Sequence, residues 1–128
     1  MTAAQVSERL AAAGARGISP AHIRWTTAHG DMHWANLTAP SLTILDWEGW
    51  GRAPAGTDAA TLHAYSLLVP EIAAEVHRTF ADILDTRDGL LAGLLATVRL
   101  QRRIGHGDDP ILARPLQRRA RELASRLS

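Results

Sequence analysis

The chain has no cysteine among its 128 residues, which excludes disulfides, thiolate zinc sites and thiol nucleophiles. It also has no lysine, so all 14 basic residues are arginine. With abundant alanine, this reflects a coding bias toward GC-rich codons, and it carries a mechanistic consequence set out below. No apolar run approaches the ~18 residues needed to cross a bilayer. The opening Met1-Thr2-Ala3-Ala4-Gln5-Val6-Ser7-Glu8 lacks the basic region and apolar core of a secretory signal. A cytoplasmic location is the default expectation, and no membrane partner is implied. The net charge of +1 is too small to imply nucleic acid.

Hydrophobic content of 46% and charged content of 21% fit an ordinary globular protein, and the length fits one domain over residues 1–128. The charge is unevenly placed: Arg99, Arg102, Arg103, Arg114, Arg118, Arg119, Arg121 and Arg126 lie in the last thirty residues. Leucines keep helical register between them, so this end reads as the solvated face of amphipathic helices. A phosphate- or nucleic-acid-binding face is the sharper alternative. Aromatic residues are not interleaved there, which argues against single-strand binding.

Along the chain, residues 2–14 predict a helix with Thr2 as cap, Val6 and Leu10 on one face and Gly14 as stop. Arg16 to Pro20 reads as a loop, and Ala21 to Trp25 as a short turn or strand. Leu37-Thr38 and Leu42 to Leu45 read as two short strands joined by Ala39-Pro40-Ser41, a small hairpin. Glu48 to Gly56 reads as a loop. Thr57 or Asp58 caps a helix running to Leu68, and Pro70 opens the next, with Ile72, Val76, Phe80 and Ile83 at helical spacing. Thr86 caps a segment with Leu90, Leu91, Leu94, Leu95 and Val98 on its apolar side. Gly105 to Pro110 is a break, and Leu116, Ala120, Leu123 and Leu127 mark a last helix. The expected fold is α+β and mainly helical, with a motif core over 27–66 and a helical part over 57–128.

The chemistry concentrates in Thr27-Ala28-His29-Gly30-Asp31-Met32-His33-Trp34-Ala35-Asn36-Leu37 and in Ile44-Leu45-Asp46-Trp47-Glu48. Phosphoryl transfer needs a carboxylate to orient the attacking hydroxyl and oxygen ligands for magnesium on the triphosphate. Asp31, Asn36 five residues on and Asp46 after the next strand supply such a set, Asp31 as base and the other two as metal ligands. Taken singly, Asp31 reads first as a turn residue, Asn36 as a strand-entry residue bonding its own backbone, and Asp46 as a loop cap; taken together at this spacing the three favour the phosphoryl-transfer set. His29 reads as loop-supporting. His29, Asp31 and His33 also allow a metal cluster, which would need a fourth ligand from His22, His63, His77 or His106. Trp25, Trp34, Trp47 and Trp50 crowd the segment, either as a substrate-facing wall or as packing for the loop. Asp58 reads as a brace for loop amides or as a helix cap.

His29-Gly30-Asp31-Met32-His33-Trp34-Ala35-Asn36-Leu37 followed by Leu45-Asp46-Trp47-Glu48 resembles the aminoglycoside phosphotransferase and choline kinase-like family. Gly51-Arg52-Ala53-Pro54-Ala55-Gly56-Thr57-Asp58-Ala59 looks like that family's later Gly-x-x-Pro…Asp-x-Ala segment. The resemblance spans about residues 20–66. It implies the C-terminal lobe of a kinase-like fold, with Asp31 as catalytic Asp, Asn36 and Asp46 as magnesium ligands, and His29 and Asp58 supporting the loop. His33, Trp34, Glu48 and Trp50 become substrate-facing candidates. The implied cofactors are Mg²⁺ and ATP, and the implied substrate is a small-molecule hydroxyl.

A complete family member carries an N-terminal lobe with a glycine-rich loop and a lysine on the phosphates. Only 28 residues precede His29, and this chain has no lysine; arginine matches the charge but not the geometry. The expectation is therefore a lobe that binds nucleotide weakly and turns over very slowly or not at all alone. It would be completed by a separate N-lobe polypeptide, or it would self-associate through the face that lobe covers. The other classes of function are a non-catalytic remnant that binds a small molecule or protein, and a His/Asp metal-binding module.

Overall fold

The computed structural model describes residues 1–105 and 110–128. Of the break expected over Gly105 to Pro110, residues 106–109, His106 among them, lie outside that set. The described chain is α+β and mainly helical, with one two-stranded antiparallel sheet.

Helix α1 spans Ala3–Ala12. Thr2 accepts from the Gln5 amide through its hydroxyl while the Gln5 side chain accepts from the Thr2 amide, a capping box. Gly14 takes φ +76° and donates to Ala11 O, and the Ala15 amide donates to Leu10 O, which closes the helix as a Schellman motif. Strand β1, Trp25–Ala28, pairs with β2, Gly51–Pro54, in the register Trp25 with Pro54 through Ala28 with Gly51. The loop expected over Glu48 to Gly56 is thus half strand. Its glycines and proline hid it, but an edge position tolerates Pro54 because its missing N–H leaves no gap in the ladder.

The expected hairpin shrinks to one bridge, Leu37 with Ile44, around a cis Ala39–Pro40 bond. Thr38 closes it, its hydroxyl donating to Ser41 O and accepting from the Thr43 amide.

Helix α2, Thr57–Tyr65, starts behind Gly56 in the left-handed region rather than from a side-chain cap, and it stops three residues short of Leu68. Helix α3, Pro70–Thr79, carries Pro70 in its first turn. The single helix expected through Ile83 breaks at Phe80, and α4, Ala81–Leu84, turns back toward α5. Gly89 permits that approach: a Cβ there would lie 1.9 Å from Ile83 O and 2.7 Å from Leu84 Cα. Only Ala73 and Val76 of α3 are buried, while Ile72 and Phe80 are exposed.

Helix α5, Arg87–Gly105, is the centre of the molecule. Thr86 caps it by accepting from the Gly89 amide at 3.1 Å. Gly89 through Val98 are buried without interruption, so the helix is enclosed on all sides rather than on one apolar side. Its leucines meet Val6 and Leu10 of α1 and Leu123 of α6, Ala113–Leu127. On α6, Leu116 and Leu123 are buried, and Arg114, Arg118, Arg121 and Arg126 are exposed. No described helix is long and apolar enough to cross a membrane.

Candidate functional site

Strand β1 ends at Ala28 and delivers His29 to a loop that closes on itself. Gly30 sits at φ +93°, and a Cβ on it would stand 2.4 Å from Gly49 O. Both the left-handed backbone and the close approach therefore require glycine. The two oxygens of Asp58, in the first turn of α2, accept from the His29 amide at 2.8 Å and the Gly30 amide at 3.0 Å. Two otherwise unpaired backbone donors are thereby satisfied by one carboxylate.

His29 is buried, and its ring is fixed at both nitrogens. Nδ1 accepts from the Asp31 amide at 3.1 Å, and Nε2 lies 2.8 Å from Leu45 O. A carbonyl only accepts, so the proton resides on Nε2. Neither nitrogen is left to ligate a metal. Among the described residues no group of three or more His, Asp or Glu side chains is placed to hold one, which leaves the His29–Asp31–His33 cluster without structural support. His22, His63 and His77 do not join it, although His63 and His77 approach each other with ring centroids 6.1 Å apart.

Asn36 ties the loop to the next segment. Its Nδ2 donates to Asp31 O at 2.9 Å, and its own carbonyl accepts from the Leu45 amide at 2.8 Å. Asp46 follows immediately, at φ 59° and ψ 66°. Three residues separated by up to fifteen positions are brought to one end of the sheet by two hydrogen bonds. The Asn36 Oδ1 and the Asp46 carboxylate accept no hydrogen bond among the described residues. Asp46 is exposed, whereas Asn36 is largely buried; among the described residues no fully buried side-chain polar atom lacks a partner, so the Asn36 oxygen keeps some solvent contact. Hard, uncommitted oxygens of this kind fit Mg²⁺, which takes few protein ligands and completes its shell with water and phosphate.

The Asp31 carboxylate is held among cations. Oδ1 lies 3.4 Å from Arg99 and 3.8 Å from Arg103, and Oδ2 lies 3.4 Å from His33 Nε2. Arg99 also donates to Gly30 O. Arg103 donates to the Tyr65 hydroxyl at 2.6 Å, and Tyr65 in turn packs against the His33 ring at 4.8 Å. His33 Nε2 is also 3.4 Å from Asn36 Nδ2, so the neutral ring can donate to Asp31 or accept from Asn36 but not both. Both arginines are nearly half exposed, so these pairs orient Asp31 more than they stabilise the fold.

The tryptophans divide their roles. Trp25 packs against the α1–α5 core and lies beneath the Arg52 guanidinium. Trp34 is half exposed, and its Nε1 donates to Ser66 Oγ at 3.0 Å, pinning the turn Trp34–Asn36 to the end of α2. Trp47 stands edge-on to His29 at 4.7 Å and donates to Ile44 O. Trp50 is 64% exposed, and Glu48 faces solvent nearby. The arrangement is a polar, oxygen-rich loop rimmed by indole faces.

Arg99, Arg103, Tyr65 and Ser66 were not among the candidates that sequence reasoning nominated. The signal was present for the arginines: Arg99, Arg102 and Arg103 stand at i, i+3 and i+4, one face of a helix. No protein-family model, curated protein or solved structure matches this chain.

Proposed function

We propose that this chain is the C-terminal lobe of a kinase-like small-molecule phosphotransferase, carrying the part of the site that holds the acceptor hydroxyl and magnesium. One observation carries the reading: the Asn36 side chain donates to the Asp31 backbone carbonyl while the Asn36 backbone carbonyl accepts from the Leu45 amide, which draws Asp31, Asn36 and the segment leading to Asp46 toward one sheet end. Asp31 orients an attacking hydroxyl and takes its proton late in the transfer. Asn36 Oδ1 and the Asp46 carboxylate would hold Mg²⁺, which when bound offsets the negative charge of ATP phosphates. His29 and Asp58 act only through the loop, by fixing where Asp31 stands. His33, Trp34, Glu48 and Trp50 border the space an acceptor would occupy.

An open surface screens the electrostatic terms on which phosphoryl transfer depends. Turnover by residues 1–128 alone is therefore expected to be very slow or absent, and an N-lobe that covers the site is expected to raise it. Calorimetric titration with ADP tests the reading. Binding should require Mg²⁺ and weaken about tenfold, near 1.4 kcal/mol, in Asp46→Ala and in Asn36→Ala. Nucleotide binding that ignores both magnesium and these substitutions would sink it.

A second reading is favoured by the indoles and leucines around the loop. Trp34, Trp47, Trp50, Leu42 and Leu45 are 44–70% exposed. A cluster of that kind marks an association surface, and a non-catalytic lobe would use it to bind a partner polypeptide or a second copy. Retention of that association in Asp31→Asn, with no nucleotide binding, is the outcome this reading expects.

A further inference from the structure

A cavity of about 590 Å³ opens between α1, the sheet and α5, beside the Gly30 backbone. Its walls carry Arg9, Arg52, Arg99, Arg102 and Arg103, and among the described residues no carboxylate lines it. Its floor is apolar, formed by side chains that include Leu95, Ala96 and Val98 of α5, and Trp50 stands at its rim. Like charges gathered around one space repel each other, so the arrangement costs the fold something wherever an arginine has no carboxylate to answer it. Arg99 and Arg103 are partly engaged by Asp31. Arg9, Arg52 and Arg102 make no ion pair among the described residues; Arg52 has only the Trp25 ring face. The volume lies within the ordinary range of small-molecule sites.

We propose that this cavity binds a small organic phosphomonoester, its phosphate among Arg9, Arg52 and Arg102 and its apolar body on the α5 floor. Planar guanidiniums bond phosphate oxygens in pairs, and several arginines on one wall match a dianion better than a monocarboxylate. The floor selects against a fully hydrated ion such as free phosphate, since Leu95, Ala96 and Val98 offer it no hydrogen bonds. The inference stands without magnesium or nucleotide. Taken with the phosphotransferase reading, on which this one step rests, it makes anionic hydroxyl compounds the first acceptors to try. Aminoglycosides and choline are cations and would meet an arginine-lined wall.

The test is calorimetric titration of the whole chain with phenyl phosphate in EDTA, alongside benzylamine, benzyl alcohol and inorganic phosphate. Phenyl phosphate should bind at least tenfold tighter than each of the other three. Arg102→Gln and Arg52→Gln should each weaken it about tenfold, Arg102→Lys should restore part of the loss, and added salt should weaken it further. Circular dichroism of each variant confirms folding, and Arg9→Gln provides a third variant if one fails. Phenyl phosphate binding no tighter than benzylamine, or unchanged affinity in folded arginine variants, overturns the proposal. Asp46→Ala should leave this binding intact, so loss of the magnesium–ADP site and loss of the anion site are separately readable.

Discussion

At the scale of single residues, the site depends on side chains that do no chemistry. Asp58 satisfies two backbone donors at once, and hydrogen bonds to a charged acceptor contribute roughly 1.5–3 kcal/mol each. Because the freed loop amides regain water, Asp58→Ala is expected to lower the stability of the chain by less than that sum, roughly 2–4 kcal/mol in urea titration. Asp58→Asn should recover less than half, because an amide offers one acceptor oxygen where the loop needs two. Equal stability of Asp58→Ala and the unmodified chain would show the loop held by other means. Gly30→Ala should be as damaging, from the left-handed backbone and the contact with Gly49 O together. These residues were legible as candidates because short-range spacing survives in sequence. The arginines against Asp31 were not, because a contact across 68 positions leaves no local pattern. The lone clue was that Arg99, Arg102 and Arg103 share a face.

At the scale of elements, helices were readable where their ends carry chemistry. Thr2 with Gln5 and Thr86 with Gly89 are caps visible in the residues themselves. The expected helix through Ile72, Val76, Phe80 and Ile83 was misjudged because its period continues past the break at Phe80. What decides the break is Gly89, on another element, whose missing Cβ admits the α4 backbone. Strand β2 was unreadable for a related reason, since Gly51 and Pro54 look like punctuation until a partner strand is in place. Truncation of the central helix tests how far the core depends on it: Leu91→Ala or Leu94→Ala is expected to cost 2–5 kcal/mol, the range for a large side chain removed from a packed core. A loss below ~1 kcal/mol, within the range of surface changes, would contradict the enclosure of α5.

The contact between α2 and α3 adds a pH dependence. His63 is held neutral, with its pKa lowered from 6.5 to about 4, first by burial and then by the nearby charges of Arg119 and His77. Between those values the unfolded chain binds a proton that the folded chain refuses, so folding loses stability as pH falls from about 6.5 to about 4. Asp85, lowered chiefly by its hydrogen bond from His77, adds a further loss only in more acidic solution, below its ordinary value of 3.8. Melting temperature followed from pH 7 to pH 4 should therefore decline, and His63→Gln should flatten that decline while leaving the steeper fall below pH 4. An unchanged slope in His63→Gln would assign the effect elsewhere.

At the scale of the whole molecule, two surfaces of opposite character meet at one loop. Five arginines line one cavity with Trp50 at its rim, and the exposed Trp34, Trp47, Leu42 and Leu45 belong to the loop beside it. A net charge of +1 conceals this division, which is why composition excluded little. Sequence patterning also failed to expose the apolar side: Leu42 and Leu45 look like strand core until the hairpin proves to be one bridge with no layer covering it. That surface makes a definite claim about association. If it drives the chain to pair, the pairing is hydrophobic, so mass measured by light scattering should rise with protein concentration and be insensitive to salt. Leu42 and Trp50 are 70% and 64% exposed, and neither side chain supports the loop through a hydrogen bond among the described residues. Leu42→Ser combined with Trp50→Ser should return the protein to a monomer with its melting temperature unchanged. Association that instead dissolves with added salt would point to the arginine side, where charge rather than apolar area sets the contact.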